Sequence, residues 1–303
     1  YYDFEVPLDL QLHTLDVLAF YFDYFYGLNF DQTENYYLNM IREDYLPLLD
    51  STNDTYFQVV DFMLKDFNDL HMWLEFEGYY GDAYDYDDTD YTYTGRQLAN
   101  ITAEDNMEEY CMNNYSRKIN NQMSVLVMDN FDDYSSSTFA LEYDVFVDEN
   151  TVDVIIDVSC NGGGLISEMM DLLPYFTDEE LKINLMNVKY DGEYDYYFDS
   201  TIHKIDKNIY VKTSTLSYSA ANIFAAFIQS NDLGTIIGED TNGGSSFTDY
   251  LYLPGGMIVN APTMIHFTDD TNSIIEYGIS VDYILTSPYD SELVSLLMTL
   301  RNN

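Results

Sequence analysis

The pattern of apolar and polar residues along the chain changes near residue 123. Before residue 78, apolar residues recur at helical spacing, which predicts helices. The helical segments are LDLQLHTLDVLAFYFDYFY, TENYYLNMIREDYLPLL and STNDTYFQVVDFMLKDF. The last segment opens with Ser51 and Thr52, two residue types that cap helices. We therefore assign residues 1–77 to a helical N-terminal region.

Residues 78–122 differ from the N-terminal region in composition. The stretch EGYYGDAYDYDDTDYTYTGRQ is polar, acidic and rich in Tyr, and its alternation of Asp and Tyr approaches low complexity. This composition predicts an exposed acidic loop or insertion over residues 78–122.

From residue 123 onward, short apolar runs alternate with longer amphipathic segments. The runs MSVLVMDNF, VDVIIDV, KNIYVKTS, GTIIGED and MIVNAPTMIHF predict strands, mostly buried. The segments LISEMMDLLPYF, AANIFAAFIQSN and SELVSLLMTLRNN predict helices. Strands that alternate with helices indicate right-handed crossover units around a buried sheet. Residues 123–303 are therefore predicted to form an α/β domain.

Charge narrows the range of partners. The chain has 303 residues, of which 54 are acidic and 11 are basic, for a formal net charge of −43. Such a surface repels nucleic acid and anionic lipid, so we exclude both as partners. No run of 18 apolar residues occurs, and we predict no membrane span. A halophilic origin is an alternative explanation of the acidity, which the many Tyr, Asn and Ile residues disfavour.

Several features point toward the secretory pathway. Cys111 and Cys160 fit no metal-ligand spacing, and they form either one disulfide or two buried thiols. Asn-x-Ser/Thr sites, which can carry glycans in a secreted eukaryotic protein, begin at Asn53, Asn100 and Asn114. The chain starts at Tyr1 rather than Met, as it would if a leader had been removed. We expect a secreted, extracellular protein.

A glycine-rich turn follows the predicted strand VDVIIDV. The stretch SCNGGG ends in Gly162, Gly163 and Gly164, which leave backbone N–H groups bare at the edge of the sheet. Such groups can hold an oxyanion. They could also hold a phosphate, but the Lys and Ser/Thr of a P-loop are missing. A simple tight turn between strand and helix is the structural alternative.

Hydroxyl side chains cluster where another strand meets a helix, in TSTLSYSAANIF, residues 213–224. Ser and Thr commonly cap helices, so capping is the default interpretation. Ser219, however, would stand at the first turn of the helix, whose positive end favours a developing anion. The N–H of Ala220 would lie beside the attacked carbonyl. Ser219 is therefore a candidate nucleophile, with helix capping as the alternative.

These segments resemble the C-terminal-processing, or tail-specific, serine peptidases. IIDVSCNGGG resembles that family's Asp-x-x-x-Asn-Gly-Gly-Gly segment, and SYSAANIFAAFIQSNDLGTIIGEDT resembles its nucleophile helix and following strand. The resemblance covers about residues 123–287. It implies a ClpP/crotonase-like core of ββα units with Ser219 as nucleophile and Gly162 or Gly163 with Ala220 as the oxyanion hole. Asn222 replaces the usual Glu three residues after Ser219.

The resemblance also bears on the general base. The main branch of the family uses a Lys about twenty-five residues after the nucleophile, where this chain has Gly244 and no Lys nearby. Another branch resembles tricorn protease and uses a His from an upstream Asp-x-His segment. Asp69, Leu70 and His71 match that segment, so the resemblance implies His71 as base, with His266 in reserve.

The orienting acid is expected late in the chain. IIEYGISVDY resembles the family's Glu-Gly-x-Gly-Val-x-Pro-Asp segment, with Val281 in place of the Pro. Glu276 would accept the imidazole N–H, as the acid of a serine triad does. Asp282 is the substitute.

The sequence therefore predicts a serine endopeptidase that hydrolyses proteins or peptides through Ser219, His71 and Glu276. The resemblance implies neither a metal nor another cofactor. The segment 78–122 is too short and too polar for the peptide-binding PDZ insertion that many relatives carry. The alternative function is a non-catalytic homologue that binds a small hydrophobic ligand or a peptide on the same fold. The sequence does not indicate an oligomeric state.

Overall fold

The structure is a computed structural model that describes residues 5–28, 35–76, 91–177, 181–190, 192–198, 204–269, 271 and 273–301. The chain divides into two compact units. The first comprises Tyr1–Ala99, Asn187–Gly192 and Ser246–His266. The second comprises Asn100–Met186, Glu193–Ser245 and Phe267–Asn303.

The secondary structure is mixed α/β, as the sequence predicts. The helices are α1 Leu8–Tyr24, α2 Tyr36–Met40, α3 Asn53–Asp66, α4 Gly95–Met112, α5 Ser135–Phe146, α6 Ile166–Leu172, α7 Ala220–Ser230 and α8 Asp290–Leu300. The strands are β1 Trp73–Phe76, β2 Arg117–Asn120, β3 Met123–Val127, β4 Asp153–Asp157, β5 Leu181–Asn187, β6 Gly192–Phe198, β7 Asn208–Thr213, β8 Thr235–Gly238, β9 Ser246–Leu253, β10 Met257–Thr268 and β11 Tyr283–Ile284.

The first unit contains the three predicted N-terminal helices. The segment around α2 changes form along its length, since a π-helical turn, Ile41–Tyr45, follows α2 directly. Helix α3 begins where the sequence predicts, because the Thr52 side chain accepts the backbone N–H of Thr55. Asp54 in its first turn and Lys65 in its last turn complement the helix dipole.

The helices of the first unit share an apolar core with strands from far along the chain. Strand β10 pairs antiparallel with both β1 and β9. The core combines aromatic residues of the helices with apolar residues of these strands, among them Phe22, Tyr26, Phe57, Leu253 and Val259. This unit is therefore larger than the predicted helical region, since its strands β9 and β10 belong to the predicted α/β domain.

The second unit is built on a six-stranded sheet of order β11-β8-β7-β4-β3-β2. Its strands β11, β8, β7, β4 and β3 run parallel, and β2 is antiparallel at the edge. Ile155 in β4 lies between Val125 of β3 and Tyr210 of β7. Every residue of β4 is buried, which explains its continuous apolar run.

The segment predicted to be an acidic loop differs from that expectation over much of its length. Residues 77–90 lie outside the described residues, but 95–112 form helix α4 and 117–120 form β2. Only Tyr110 of α4 is buried, so this helix lacks the apolar stripe by which sequence patterns reveal helices.

A disulfide joins Cys111, near the end of α4, to Cys160, just before the glycine-rich turn. Of the two alternatives that the sequence leaves open, the structure has the cross-link. Among the helices described here, none combines the length and the apolar character that crossing a membrane requires.

Candidate active site

The predicted nucleophile and the glycine-rich turn both lie at the carboxyl ends of the parallel strands of the second unit. Strands β4 and β7 are parallel neighbours, so the segments that leave their carboxyl ends emerge side by side. Two hydrogen bonds hold these segments together. The backbone N–H of Tyr218 donates to the carbonyl of Asn161 at 3.1 Å, and the Ser217 hydroxyl donates to the carbonyl of Val158 at 2.7 Å.

Ser219 occupies a strained backbone conformation directly before α7. Its φ of 54° and ψ of −121° lie outside the helical and extended regions in which most L-residues are found. Holding a non-glycine residue in such a conformation costs about 1–3 kcal/mol, and such residues concentrate at active sites. The N–H of Ser219 donates to the Gly243 carbonyl at 2.8 Å, and its own carbonyl accepts from Ile223 at 2.9 Å. These bonds fix the half-buried serine at a sharp turn from strand to helix.

Gly163 packs directly against Ser219. Its φ of +114° is one that residues with a side chain rarely adopt. A Cβ at this position would lie 2.7 Å from the Cβ of Ser219 and 3.2 Å from the backbone nitrogen of Ala220. Both the backbone conformation and this close approach require glycine. Gly162 differs, because a Cβ added there would meet open space.

The backbone N–H groups of the predicted oxyanion hole are not equivalent. The Gly163 N–H donates to Oδ1 of Asn161 at 2.8 Å, and the Asn161 side chain in turn donates to the Met128 carbonyl at 2.9 Å. In the part of the chain that the structure describes, the N–H groups of Gly162 and Ala220 have no acceptor. Ala220 begins α7, so its N–H lies at the positive end of the helix. Gly162 and Ala220 are thus available to bind an anion.

Glu276 is fully buried in the second unit and is held by the loop that follows β8. Its Oε2 accepts the backbone N–H of Ser245 at 2.8 Å and the Ser245 hydroxyl at 3.3 Å. Its carbonyl accepts from Gly244 at 3.0 Å. Gly243, with a φ of +87°, packs so closely that a Cβ there would overlap the Glu276 carbonyl. The same loop therefore binds both Ser219, through Gly243, and Glu276.

Asn222, which replaces the usual family Glu, has a structural role. Its side chain is fully buried and donates from Nδ2 to the carbonyl of Ile275 at 3.1 Å. Its Oδ1 accepts from the hydroxyl of Thr241 at 2.7 Å. A carboxylate could not donate to the Ile275 carbonyl, so the amide suits this position. Asn222 thereby ties the first turn of α7 to the residue that precedes Glu276.

His71 belongs to the first unit and is buried there. Its Nδ1 lies 3.2 Å from the hydroxyl oxygen of Ser246, the first residue of β9. Its backbone N–H donates to Asp69 at 2.9 Å, and its carbonyl accepts from the Asn260 side chain at 2.6 Å. Asp69 also accepts the Tyr26 hydroxyl at 3.1 Å. The Asp-x-His segment therefore forms a local turn in which Asp69 fixes the backbone at His71.

The two reserve residues have other surroundings. His266 is fully buried in the first unit, and its Nε2 packs against Gly27, where a Cβ would lie within 2.4 Å. Asp282 accepts the N–H of Ile236 at 2.7 Å and the side chain of Gln229 at 3.2 Å. It thus lies near the end of α7 opposite to Ser219. The pairing of His71 with Ser219 and with Glu276 stays a prediction.

A buried ion pair lies beside the glycine-rich turn. Lys212 in β7 and Asp157 in β4 are almost completely buried, with Nζ 3.0 Å from Oδ2. Asp157 also accepts from the Tyr110 hydroxyl, from the backbone and hydroxyl of Ser159, and from Asn114. Burial alone would raise the pKa of Asp157, but the charge of Lys212 and these hydrogen bonds outweigh it and lower that pKa. Asp157 is therefore held as a carboxylate.

Sequence reasoning missed three residues of the candidate site. Ser246 bonds the imidazole of His71, Ser245 bonds the carboxylate of Glu276, and Asn161 binds the Gly163 N–H. Asn161 was within the motif, but its side chain received no role. The two serines follow Asn-Gly-Gly, a sequence that predicts a turn. Their partners lie far away in the sequence, so only the fold reveals them.

Comparison with known proteins identifies the family and the fold of the chain. The model of peptidase family S41 matches residues 122–285. A crystal structure of a "putative peptidase" from Parabacteroides merdae is similar over 97% of this chain and 96% of that chain, with 18% identity and a TM-score of 0.68. A lipoprotein from Streptococcus agalactiae is similar over 100% of this chain and 99% of that one, with 14% identity and a TM-score of 0.65.

The family match spans the sheet strands β3, β4, β7 and β8, the glycine-rich turn and helix α7. The chain belongs to peptidase family S41, and its class is that of the serine peptidases. The α/β fold that the resemblance implied is confirmed by these structures.

Proposed function

We propose that this protein is an active serine endopeptidase in which Ser219 is the nucleophile, His71 the general base and Glu276 the acid that orients the base. The observation that carries the proposal is the backbone conformation of Ser219. A strained serine between strand and helix, packed on Gly163 and followed by the acceptor-free N–H of Ala220, suits acyl transfer.

The proposed reaction proceeds through an acyl-enzyme. His71 removes the proton of the Ser219 hydroxyl as its oxygen attacks the peptide carbonyl. The N–H groups of Ala220 and Gly162 stabilise the oxyanion, an effect worth about 3–4 kcal/mol for one such donor. His71 then returns the proton to the leaving amine. Water, deprotonated by His71, attacks the ester and releases the acid product and Ser219.

The burial of His71 and Glu276 supports their assignment. Both have their backbones held by hydrogen bonds, and Glu276 also has its carboxylate held by Ser245. Side chains fixed in this way need no ordering when substrate binds. The imidazole contact with Ser246 is consistent with a single ring orientation, whichever tautomer is present.

We propose that the substrates are peptides or proteins and that the protein works outside the cell. The disulfide Cys111–Cys160 supports an oxidising compartment. Thiol titration of the unfolded, unreduced protein from its native source tests this location, and two free thiols per chain would contradict it.

Labelling with a fluorophosphonate tests the catalytic proposal. The wild-type protein should be modified on one serine, and peptide mapping should place the adduct on Ser219. Ser219→Ala should abolish labelling, and His71→Ala should slow it at least 100-fold. Glu276→Gln should slow it less, because the amide can still accept a hydrogen bond.

Two matched variants make the labelling result specific. Ser214→Ala and Ser217→Ala remove hydroxyls from the same strand-to-helix junction, where each hydroxyl donates to a backbone carbonyl. Both variants should still be labelled. If folded wild-type protein resists labelling, the non-catalytic homologue that binds a hydrophobic ligand or peptide becomes the better function.

A further inference from the structure

A cavity of about 240 Å³ lies along α7 in the second unit, apart from the residues that carry the proposed chemistry. Its walls are largely apolar. They include Met169, Ile223, Phe227, Phe267 and Ile275, each of which is buried. A cavity of this size and composition accommodates one long amino-acid side chain.

Polar residues line another part of this cavity, and two of them carry a buried oxygen that lacks a partner. Asn184 Oδ1 and Thr268 Oγ1 are buried, and neither has a hydrogen-bond partner among the residues that the structure describes. Asn184 donates from Nδ2 to the Asp269 carbonyl at 3.1 Å, which fixes the amide so that the oxygen is the unpaired atom. A buried acceptor without a partner costs about 1–3 kcal/mol, which a bound donor would recover.

Asp269, another polar residue of the lining, brings negative charge to the cavity. Its carboxylate accepts the N–H groups of Thr271 and Ser273, at 2.8 and 2.9 Å. Among the described residues, the lining thus combines apolar side chains with acceptor oxygens and a carboxylate, and it includes no Lys or Arg. This chemistry suits a ligand with an apolar stem and a cationic, hydrogen-bond-donating end.

The cavity follows the helix face that begins at Ser219. Its α7 residues Ile223, Ala226 and Ser230 stand four, seven and eleven positions after Ser219, the spacing of one helix face. Ile223 is about 6 Å along the helix axis from Ser219. Ile275, on the opposite wall, immediately precedes Glu276. The part of the cavity at Ile223 therefore lies about one helical turn from the proposed nucleophile.

We propose that this cavity is the specificity pocket of the peptidase and that it binds a Lys or Arg side chain of the substrate close to the scissile bond. The proposal rests on the proposed function of Ser219. The aliphatic stem packs between Ile223, Phe227 and Phe267, and the cationic end bonds Asn184 Oδ1 and Thr268 Oγ1 beside Asp269.

Equilibrium binding to the folded Ser219→Ala variant tests the pocket without catalysis. The probes are fluorescent peptides that differ at one position near the scissile bond, with Lys, Arg or norleucine there. Norleucine keeps the aliphatic stem and lacks the charge. A fourth probe moves the Lys four residues away and keeps the net charge. The Lys peptide should bind at least 10-fold tighter than both the norleucine peptide and the displaced-Lys peptide.

Substitutions of residues that line the cavity test whether the preference for Lys arises there. Thr268→Val is nearly isosteric and removes one acceptor, and Asn184→Leu removes the other. In the Ser219→Ala background, each should reduce the preference for Lys over norleucine to threefold or less. Thr263→Val, on the same strand but outside the cavity lining, should leave the preference intact. Thermal melting checks that each variant is folded.

The outcomes distinguish failure of the pocket proposal from failure of the proposed catalytic function of Ser219. If the wild type is labelled at Ser219 but all peptides bind equally, the pocket is wrong and the hydrolase stands. If the Lys peptide is preferred but the wild type resists labelling, the pocket stands as a binding site and the hydrolase fails. Equal binding of the Lys and displaced-Lys peptides would attribute the preference to the overall charge of −43 and overturn the pocket.

Discussion

Gly163 lies so close to Ser219 that a β carbon on the glycine would be 2.7 Å from the β carbon of the serine. The contact joins the turn after β4 to the turn after β7, two segments separated by more than fifty residues in sequence. It places the backbone of the glycine-rich turn, rather than a side chain, against the proposed nucleophile.

Gly163→Ala adds only one methyl group, but we expect it to impair the site strongly. The added methyl group meets Ser219, and the φ of +114° disfavours any L-residue. Displacing the oxyanion donors should reduce the rate of fluorophosphonate labelling by about 100-fold or more.

Gly162→Ala is the matched control for this prediction. It makes the same chemical change one residue away, where the new methyl group meets open space and the backbone N–H is retained. Labelling should stay within a few-fold of the wild type. Similar losses in both variants would show that the contact between Gly163 and Ser219 has no special role.

Much of the second unit could be predicted because its sheet is buried on both faces. Strands such as β4 are unbroken apolar runs in the sequence, and the Gly and Ser residues after them mark the turns that follow the strands. Ser219 was selected as a candidate in this way, although its strained conformation was not predicted. Sequence patterns report which residues are apolar, whereas a positive φ at a serine is imposed by tertiary contacts.

The first unit was only partly predictable, for a topological reason. Helices α1 and α3 show their apolar faces in the sequence, but β9 and β10, which complete their core, lie almost two hundred residues further on. Helix α4 escaped detection because it buries only Tyr110. Ser246, the partner of His71, likewise belongs to a strand whose location no local pattern reveals.

Asn222→Asp should destabilise the second unit. The substitution keeps the size of the side chain but replaces the donor to the Ile275 carbonyl with a carboxylate oxygen in a fully buried place. Losing this bond and leaving a carbonyl unpaired should lower the free energy of unfolding by about 1–3 kcal/mol. Urea denaturation followed by fluorescence measures the change.

Asn231→Asp provides the comparison at the residue that caps the C-terminus of the same helix. The Asn231 side chain donates to the Phe227 carbonyl at 2.9 Å but is only half-buried, so water can replace the lost donor. This variant should cost less than about 1 kcal/mol. An equal or larger loss for Asn231→Asp would contradict the role given to Asn222.

Removal of the disulfide should lower stability substantially. Cys111 and Cys160 are 49 residues apart, and closing a loop of that length restricts the unfolded chain by an amount worth about 4 kcal/mol. The double variant Cys111→Ser, Cys160→Ser should therefore melt at a lower temperature than the oxidised wild type. Reductant should lower the melting temperature of the wild type and leave that of the double variant unchanged. A wild type that is insensitive to reductant would refute this expectation.

Asp157 should make the second unit sensitive to acid. Burial alone disfavours its carboxylate, but Lys212 and the hydrogen bonds of Tyr110 and Ser159 more than compensate, so its pKa is lower in the folded than in the unfolded protein. The unfolded chain then binds a proton more readily than the folded chain. The stability that Asp157 contributes is present above its ordinary value, 3.8, and is lost as the pH falls through the lower folded pKa.

Asp157→Asn tests whether folding lowers the pKa of Asp157. The substitution removes the titrating carboxyl group and leaves Lys212 buried without its partner. At pH 7 the variant should lose about 3–5 kcal/mol of unfolding free energy. The difference from the wild type should shrink as the pH is lowered below 4, because Asp157 of the unfolded wild-type chain then binds a proton that the folded chain does not yet bind. Asp148→Asn, which removes an exposed partner of Lys118, should change stability little at either pH. A wild-type-to-variant difference that is constant from pH 7 to pH 3 would mean that folding does not lower the pKa of Asp157.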